Sequence, residues 1–190
     1  MFTMRSVRAP VALVAAIVVG GLCQTADATT ALLLSREELT QRSTTIGRVT
    51  VGRATTRESD DGTSIVTRTE LTFTQCLKGA CGKTAVVEQV GGTLNGKTQR
   101  LLGDGRLQPG EDAVVFLTAG QGRDAGMSFL TALALSVYHV DQQGLAQRDL
   151  EGLGLMRRRD GRLEHADVDE KPEPVEKLMT DLARLAKETK

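Results

Sequence analysis

Residues 65–82 read IVTRTELTFTQCLKGACG, with Ile65, Thr67, Thr69, Leu71 and Phe73 alternating with Val66, Arg68, Glu70, Thr72 and Thr74. A period of two in β-branched and aromatic residues predicts a strand over Ile65–Leu77 with one drier face. The strand closes on Cys76-Leu77-Lys78-Gly79-Ala80-Cys81, a polar turn bracketed by two cysteines.

Upstream, Thr45–Thr55 (TIGRVTVGRAT) predicts a partner strand, with Gly47 and Gly52 marking a bulge or a close backbone approach. Ser59-Asp60-Asp61-Gly62 supplies the turn that makes the two a hairpin. Before them, Ser35 and Glu38 form a capping box between Leu34 and Leu39, which predicts a short helix to about Ser43. Downstream, Thr84–Val90 predicts a third strand ended by Gly91-Gly92, and Glu111–Leu117 a short apolar one. Ser128–Val140 reads as one strand or two half-strands, and Gly144–Arg148 as an edge strand. No helix of useful length is predicted between Thr45 and Leu150. Five to seven strands with turn signals between them predict a small barrel, with a β-sandwich as the competitor.

The ends differ from this body. Arg5 and Arg8 precede an apolar run, Val11–Leu22, which is shorter than the roughly 20 residues a spanning helix needs. Ala26-Asp27-Ala28 follows as a small-x-small site, so residues 1–28 read as a signal peptide with Thr29 first in the mature chain. The expected location is secreted or periplasmic, with lipidation at Cys23 the lesser alternative because bulky Leu22 precedes it. No membrane span is expected after cleavage. At the other end, Met156-Arg157-Arg158-Arg159-Asp160 reads as a solvated charged turn. Val175, Leu178, Met179, Leu182, Leu185 and Ala186 then form one stripe of a helix opened by Pro172 and Pro174. The expected division is 1–28 signal peptide, 29–155 barrel domain with the capped helix, and 156–190 charged linker and amphipathic helix.

Loss of Arg5, Arg8 and Asp27 leaves 22 basic and 23 acidic residues, a net charge of −1. That balance gives no overall field for nucleic acid or an anionic membrane. Four Phe, one Tyr and no Trp also disfavour a binder of stacked bases. Cleavage removes Cys23, so Cys76 and Cys81 become the mature chain's two cysteines. An oxidising compartment favours their pairing, worth about 2 kcal/mol for so small a ring.

Gly91-Gly92-Thr93-Leu94-Asn95-Gly96-Lys97-Thr98 matches the phosphate-loop pattern G-x-x-x-x-G-K-[ST]. That chemistry requires a helix directly after the lysine, whose N-terminus faces the phosphates. Gln99–Leu102 instead runs at once into Gly103-Asp104-Gly105 and Pro109-Gly110. The match is therefore read as a glycine-rich β-connection, and no nucleotide or other cofactor is expected. His139, with Asp141 two residues on and on the same strand face, is the one candidate general base, against the commoner reading of a surface-strand histidine; Asp104, Glu111 and Asp112 are acids at loop ends, among which the sequence locates no pair. His165 lies in a charged stretch. No nucleophile elbow and no His-x-x-x-His metal pair is present.

The order of features carries a resemblance. Glu38-Leu39, Val51-Gly52-Arg53, Asp61-Gly62, Leu77-Lys78-Gly79, Gly91-Gly92, Gly103 and Pro109-Gly110-Glu111 with Val114–Leu117 follow one another along the chain. Over roughly residues 35–149 this resembles a family of uncharacterised exported bacterial proteins, some of them companions or front segments of matrixin-type metalloproteases. More distantly, it is similar to the netrin-like, tissue-inhibitor-of-metalloproteinase fold. The resemblance implies a mainly β, OB-like barrel with a short N-terminal and a C-terminal helix. Those inhibitors bind zinc through a mature N-terminal cysteine, whereas Thr29 stands there in this chain, so that chemistry does not carry over. The function expected is an exported, non-catalytic binding module for a protein or envelope component. The alternatives are a metallopeptidase-associated inhibitor or pro-segment-like protein, and a small hydrolase using His139.

Overall fold

The computed structural model describes residues 29–189. The expected signal peptide and Cys23 lie outside the described residues.

The chain opens with strand β1 (Thr29–Leu32) and helix α1 (Arg36–Arg42). Ser35 caps α1 as expected: its hydroxyl accepts from the Glu38 amide (3.2 Å), and the Glu38 carboxylate accepts from the Ser35 amide (2.8 Å). Strands β2 (Thr45–Glu58), β3 (Ile65–Lys78), β4 (Thr84–Leu94) and β5 (Lys97–Arg100) then form an antiparallel meander. The β2–β3 register shifts at Ile46/Gly47, Arg48/Val49 and Val51/Ala54, so bulges fall beside the two glycines singled out. Strand β6 (Asp112–Ala119) returns against β2. The segment Ser128–Val140 divides into two half-strands, β7 (Ser128–Leu130) and β8 (Val137–Val140), separated by a 3-10 turn at Leu133–Ser136. Both lie on the same edge of β6, β8 along Asp112–Val115 and β7 along Leu117–Ala119.

β7 also meets β4 in parallel, which closes a ring in the order β2-β3-β4-β7-β6. Numbered along the chain this order is first, second, third, fifth, fourth, a Greek-key barrel of OB type and not a sandwich. Its interior holds Val49, Val51, Leu71, Val87, Val115 and Leu117. Ala113 to Leu117 of β6 are buried on both faces, because Val114 and Phe116 point outward into a second core. That core is covered by α1 and by the C-terminal helix α2 (Val175–Glu188).

Strand β9 (Leu145–Gln147) extends the sheet beyond β8. Two expectations are corrected beyond and around it. The strand predicted over residues 84–90 does not end at Gly91-Gly92: β4 runs on to Leu94 and turns at Asn95-Gly96, both with positive φ, into β5. The charged turn expected at Met156–Asp160 is a strand. β10 (Leu153–Arg159) and β11 (Arg162–His165) form a hairpin about Asp160-Gly161, again with positive φ at both, as a two-residue primed turn requires. β1 joins β10 in parallel, giving a separate three-stranded sheet. Only part of residues 156–190 is therefore a connection. Its end is β12 (Glu173–Pro174), paired with β9, and helix α2 (Val175–Glu188). All six stripe residues of α2 are buried, so the amphipathic face docks on the barrel. No helix among the described residues is long and apolar enough to cross a membrane.

Candidate functional site

The contact that closes the barrel is one residue pair long, Val87 with Ser128. Beyond it the chain at residues 103–105 bridges β4 to β7 and β8. Gly103 and Gly105 are buried. A Cβ on Gly103 would lie 2.6 Å from Leu153 Cδ1, and one on Gly105 2.7 Å from Val137 Cγ2 and 2.8 Å from Leu130 Cδ1. Backbone without a side chain is what fits so close to these groups. Hydrogen bonds pin the segment: Gln89 Nε2 donates to the Gly105 carbonyl (2.6 Å) and the Ala134 amide to the Gly103 carbonyl (3.1 Å). Between the glycines, Asp104 Oδ1 accepts from the Gly105 amide (2.9 Å). Burial pushes the Asp104 carboxyl above its ordinary range, against the hydrogen bonds from Gln89 and Gly105.

Two clefts flank this segment, and Arg106, Gln108 and Asp149 line both. The first, about 510 Å³, runs along Gly91-Gly92, Gln99 and Leu101–Leu107. Val90, Leu101 and Leu102 line it while remaining 43%, 40% and 45% exposed, three of the five large apolar side chains so exposed among the described residues. The cleft borders β5, which ends the sheet order and so leaves one edge of backbone without a neighbouring strand.

The second cleft, about 520 Å³, contains His139. Its Nδ1 lies 3.4 Å from Glu111 Oε2, and Glu111 Oε1 accepts from the Gln108 amide (3.0 Å). Asp141 is not the partner of His139. Its Oδ1 accepts from the amides of Gln143 (2.9 Å) and Leu145 (2.8 Å), holding the β8–β9 turn. The remaining lining is Arg106, Gln108, Val140, Asp141, Leu145, Gln147, Arg148, Asp149 and Pro172, with no hydroxyl, thiol or amine to act as a nucleophile.

The other candidates separate. Asp104 lines the first cleft and Glu111 the second, while Asp112 is bound bidentately by Arg48 (Nη2–Oδ2 2.6 Å). His165 faces Asp167 on the exposed β11 end (3.4 Å). No group of three or more His, Cys, Asp or Glu converges as a metal site among the described residues. The phosphate-loop match Gly91–Thr98 is the β4–β5 hairpin, with Thr93 and Thr98 hydroxyls paired across it (2.9 Å). Cys76 and Cys81 bring their sulfurs to disulfide distance (2.06 Å) at the end of β3.

Sequence reasoning passed over two features. Leu101-Leu102 stands between glycines without strand or helix period, and that isolation was the available signal. Tyr138, the single tyrosine, is buried on β8 beside two guanidinium groups, Arg148 at 5.1 Å and Arg36 at 5.6 Å from its ring centroid. Compared with known proteins, the chain matches no family model and no curated protein.

Proposed function

We propose that the protein is an exported binding module without a catalytic role, whose partner is a protein component of the envelope or its surroundings. One observation carries this reading. Val90, Leu101 and Leu102 are exposed around a single cleft lined in part by glycines, beside the free edge of β5. Exposed apolar side chains grouped around one concavity mark interaction sites in soluble proteins. The adjacent strand edge offers backbone donors and acceptors to an extended segment of the partner. Leu101 and Leu102 are 40% and 45% exposed, so burying what remains by a partner is worth about 1 kcal/mol each, and Leu101→Asp/Leu102→Asp adds the cost of burying two charges.

Wild type and that variant, immobilised, are exposed to envelope extract and culture fluid. The expected outcome is a protein retained by wild type and lost by the variant, with the melting temperature unchanged. Equal retention by both, or nothing above bare support, overturns the proposal. One observation favours a small hydrolase instead, the placement of His139 against Glu111 in the second cleft. It lacks a partner nucleophile, and a substrate screen in which His139→Ala abolishes turnover is what would establish it. Metallopeptidase inhibition draws on the resemblance alone, and peptidases are therefore among the retained proteins to look for.

A further inference from the structure

The hairpin of β10 and β11 carries Arg157, Arg158, Arg159 and Arg162, all exposed. None of the four takes part in an ion pair or side-chain hydrogen bond among the described residues. Arg36, Arg48, Arg57, Arg68, Arg148 and Arg184 do, while Arg42, Arg53, Arg100, Arg106 and Arg123 stand singly along the chain; the hairpin is distinguished by gathering four such groups within residues 157–162. The placement works against the hairpin itself: Arg159 stands directly opposite Arg162, and like charges in that position destabilise a strand pair. Between the arginines, Leu163 is the most exposed of the large apolar side chains, at 57%. It lies opposite Arg158, on the sheet face that also carries Met156 and Leu32, the latter 37% exposed. Arg157, Arg159 and Arg162 lie on the other face with Leu155; that face is buried only where Leu155 enters the core, so at the hairpin end both faces are open and the tip presents Leu163 and Arg158 from one side and three arginines from the other.

We infer that the β10–β11 hairpin is a contact for an anionic phospholipid surface, with Leu163 entering the headgroup boundary and the arginines meeting lipid phosphates. Unpaired guanidinium groups match phosphate in charge and donor geometry. Basic side chains combined with a protruding aliphatic one are the signature of interfacial binding; a soluble polyanion has no use for the leucine. The whole-chain net charge near zero does not oppose it, because a surface field falls off within about 10 Å at moderate salt, and the hairpin itself sets four arginines against Asp160 and Glu164, a local excess of positive charge.

The test is partition of the processed protein, purified from exporting cells, onto phosphatidylcholine vesicles with and without phosphatidylglycerol, at low and high salt. Wild type is expected to bind the anionic vesicles, to bind far less to phosphatidylcholine alone, and to be released by salt. Each arginine near such a surface contributes roughly fivefold, so Arg157→Gln/Arg159→Gln/Arg162→Gln should weaken partition about 100-fold. Leu163→Ser should weaken it roughly 10-fold. All four residues are exposed and the triple variant removes the Arg159–Arg162 repulsion, so circular dichroism should not change and the melting temperature should not fall. Equal binding to both vesicle types, or undiminished binding of the triple variant, overturns the inference. So does binding of inorganic phosphate or a soluble nucleic-acid polyanion with vesicles left unbound. No partner protein enters this assay, so its outcome is independent of Leu101 and Leu102.

Discussion

Replacing Arg148 by Met tests what ties the C-terminal segment to the barrel. Arg148 Nε and Nη2 donate to the two oxygens of Glu170 at 2.9 and 2.7 Å, with the side chains only 10% and 15% exposed. The guanidinium also lies 5.1 Å from the Tyr138 ring centroid. Methionine keeps the length and the apolar stem but leaves the Glu170 carboxylate poorly solvated and unpaired. Breaking a buried pair from one side costs about 3–5 kcal/mol. Residual exposure at both ends places this one at the lower limit, about 3 kcal/mol, of which the ring contact supplies about 1. For a domain of this size that is a drop of roughly 6–12 °C in Tm. Arg148→Met/Glu170→Leu removes both charges and should recover most of the loss, giving a coupling of about 2 kcal/mol in the double-mutant cycle. Urea unfolding followed by far-ultraviolet circular dichroism supplies the free energies. Fluorescence of Tyr138, the only tyrosine, reports on the node itself. If Arg148→Met costs less than about 1 kcal/mol, as an exposed pair would, or the two changes simply add, the node does not hold the C-terminal segment.

Three further outcomes are expected. Reducing Cys76–Cys81, or replacing both by Ser, should lower stability by about 2 kcal/mol in the same urea titration, the loop-entropy value for a five-residue separation. Gly92 has φ +133°, and a Cβ there would lie 2.6 Å from both Thr56 Cγ2 and Thr67 Oγ1; Gly92→Ala should therefore cost on the order of 2–3 kcal/mol, whereas Gly96→Asn, at φ +77° with open space around it, should be nearly neutral. Asp104, whose carboxyl is raised by burial above the ordinary aspartate range, binds its proton more tightly folded than unfolded. Its contribution is full below about pH 4 and is lost as pH rises through the folded value. Asp104→Asn, which keeps an acceptor for the Gly105 amide, should therefore stabilise the protein at pH 7 and not at pH 3; a loss of stability at pH 7 would show that the carboxylate is needed as a charge.

The barrel was legible wherever burial imposes a period. Residues 65–77 alternate because β3 presents one face to the interior, and Glu111–Leu117 lacks alternation because β6 is buried on both sides. The α2 stripe and the Ser35 cap were legible for equally local reasons. What escaped was structure with too little dry face. β10 buries only Leu155, with Leu153 packed beside it, and its second half and β11 project arginines into solvent, so the apolar pattern was too short to mark them, although Asp160-Gly161 is a hairpin signal in its own right. Asn95-Gly96 was hidden differently, inside a motif that drew attention to Lys97-Thr98. The pairing of Thr29 with Leu153, and of Arg148 with Glu170 over Tyr138, are tertiary facts that no local window contains. Nor could the sequence tell which acid stands beside His139. Strand alternation pointed to Asp141, but the β8–β9 turn takes that carboxylate for its own amides and leaves Glu111 to approach across the sheet.

The glycines from 91 to 105 gain a common physical role from the fold. In a phosphate loop, glycine lets backbone amides converge on a ligand. Here Gly92 lets β4 pass over Thr56 and Thr67, and Gly103 and Gly105 let the following segment lie against Leu153, Leu130 and Val137. The same absence of side chains that allows this close packing also lowers the walls of the first cleft, so that Val90, Leu101 and Leu102 stand around a floor of backbone. A glycine-rich stretch that resembles a nucleotide site thus becomes close-packed β-structure beside a mixed cleft, in which three exposed apolar side chains stand among Arg100, Arg106, Asp149 and Glu151; the binding proposed above draws on those apolar groups and the β5 edge together.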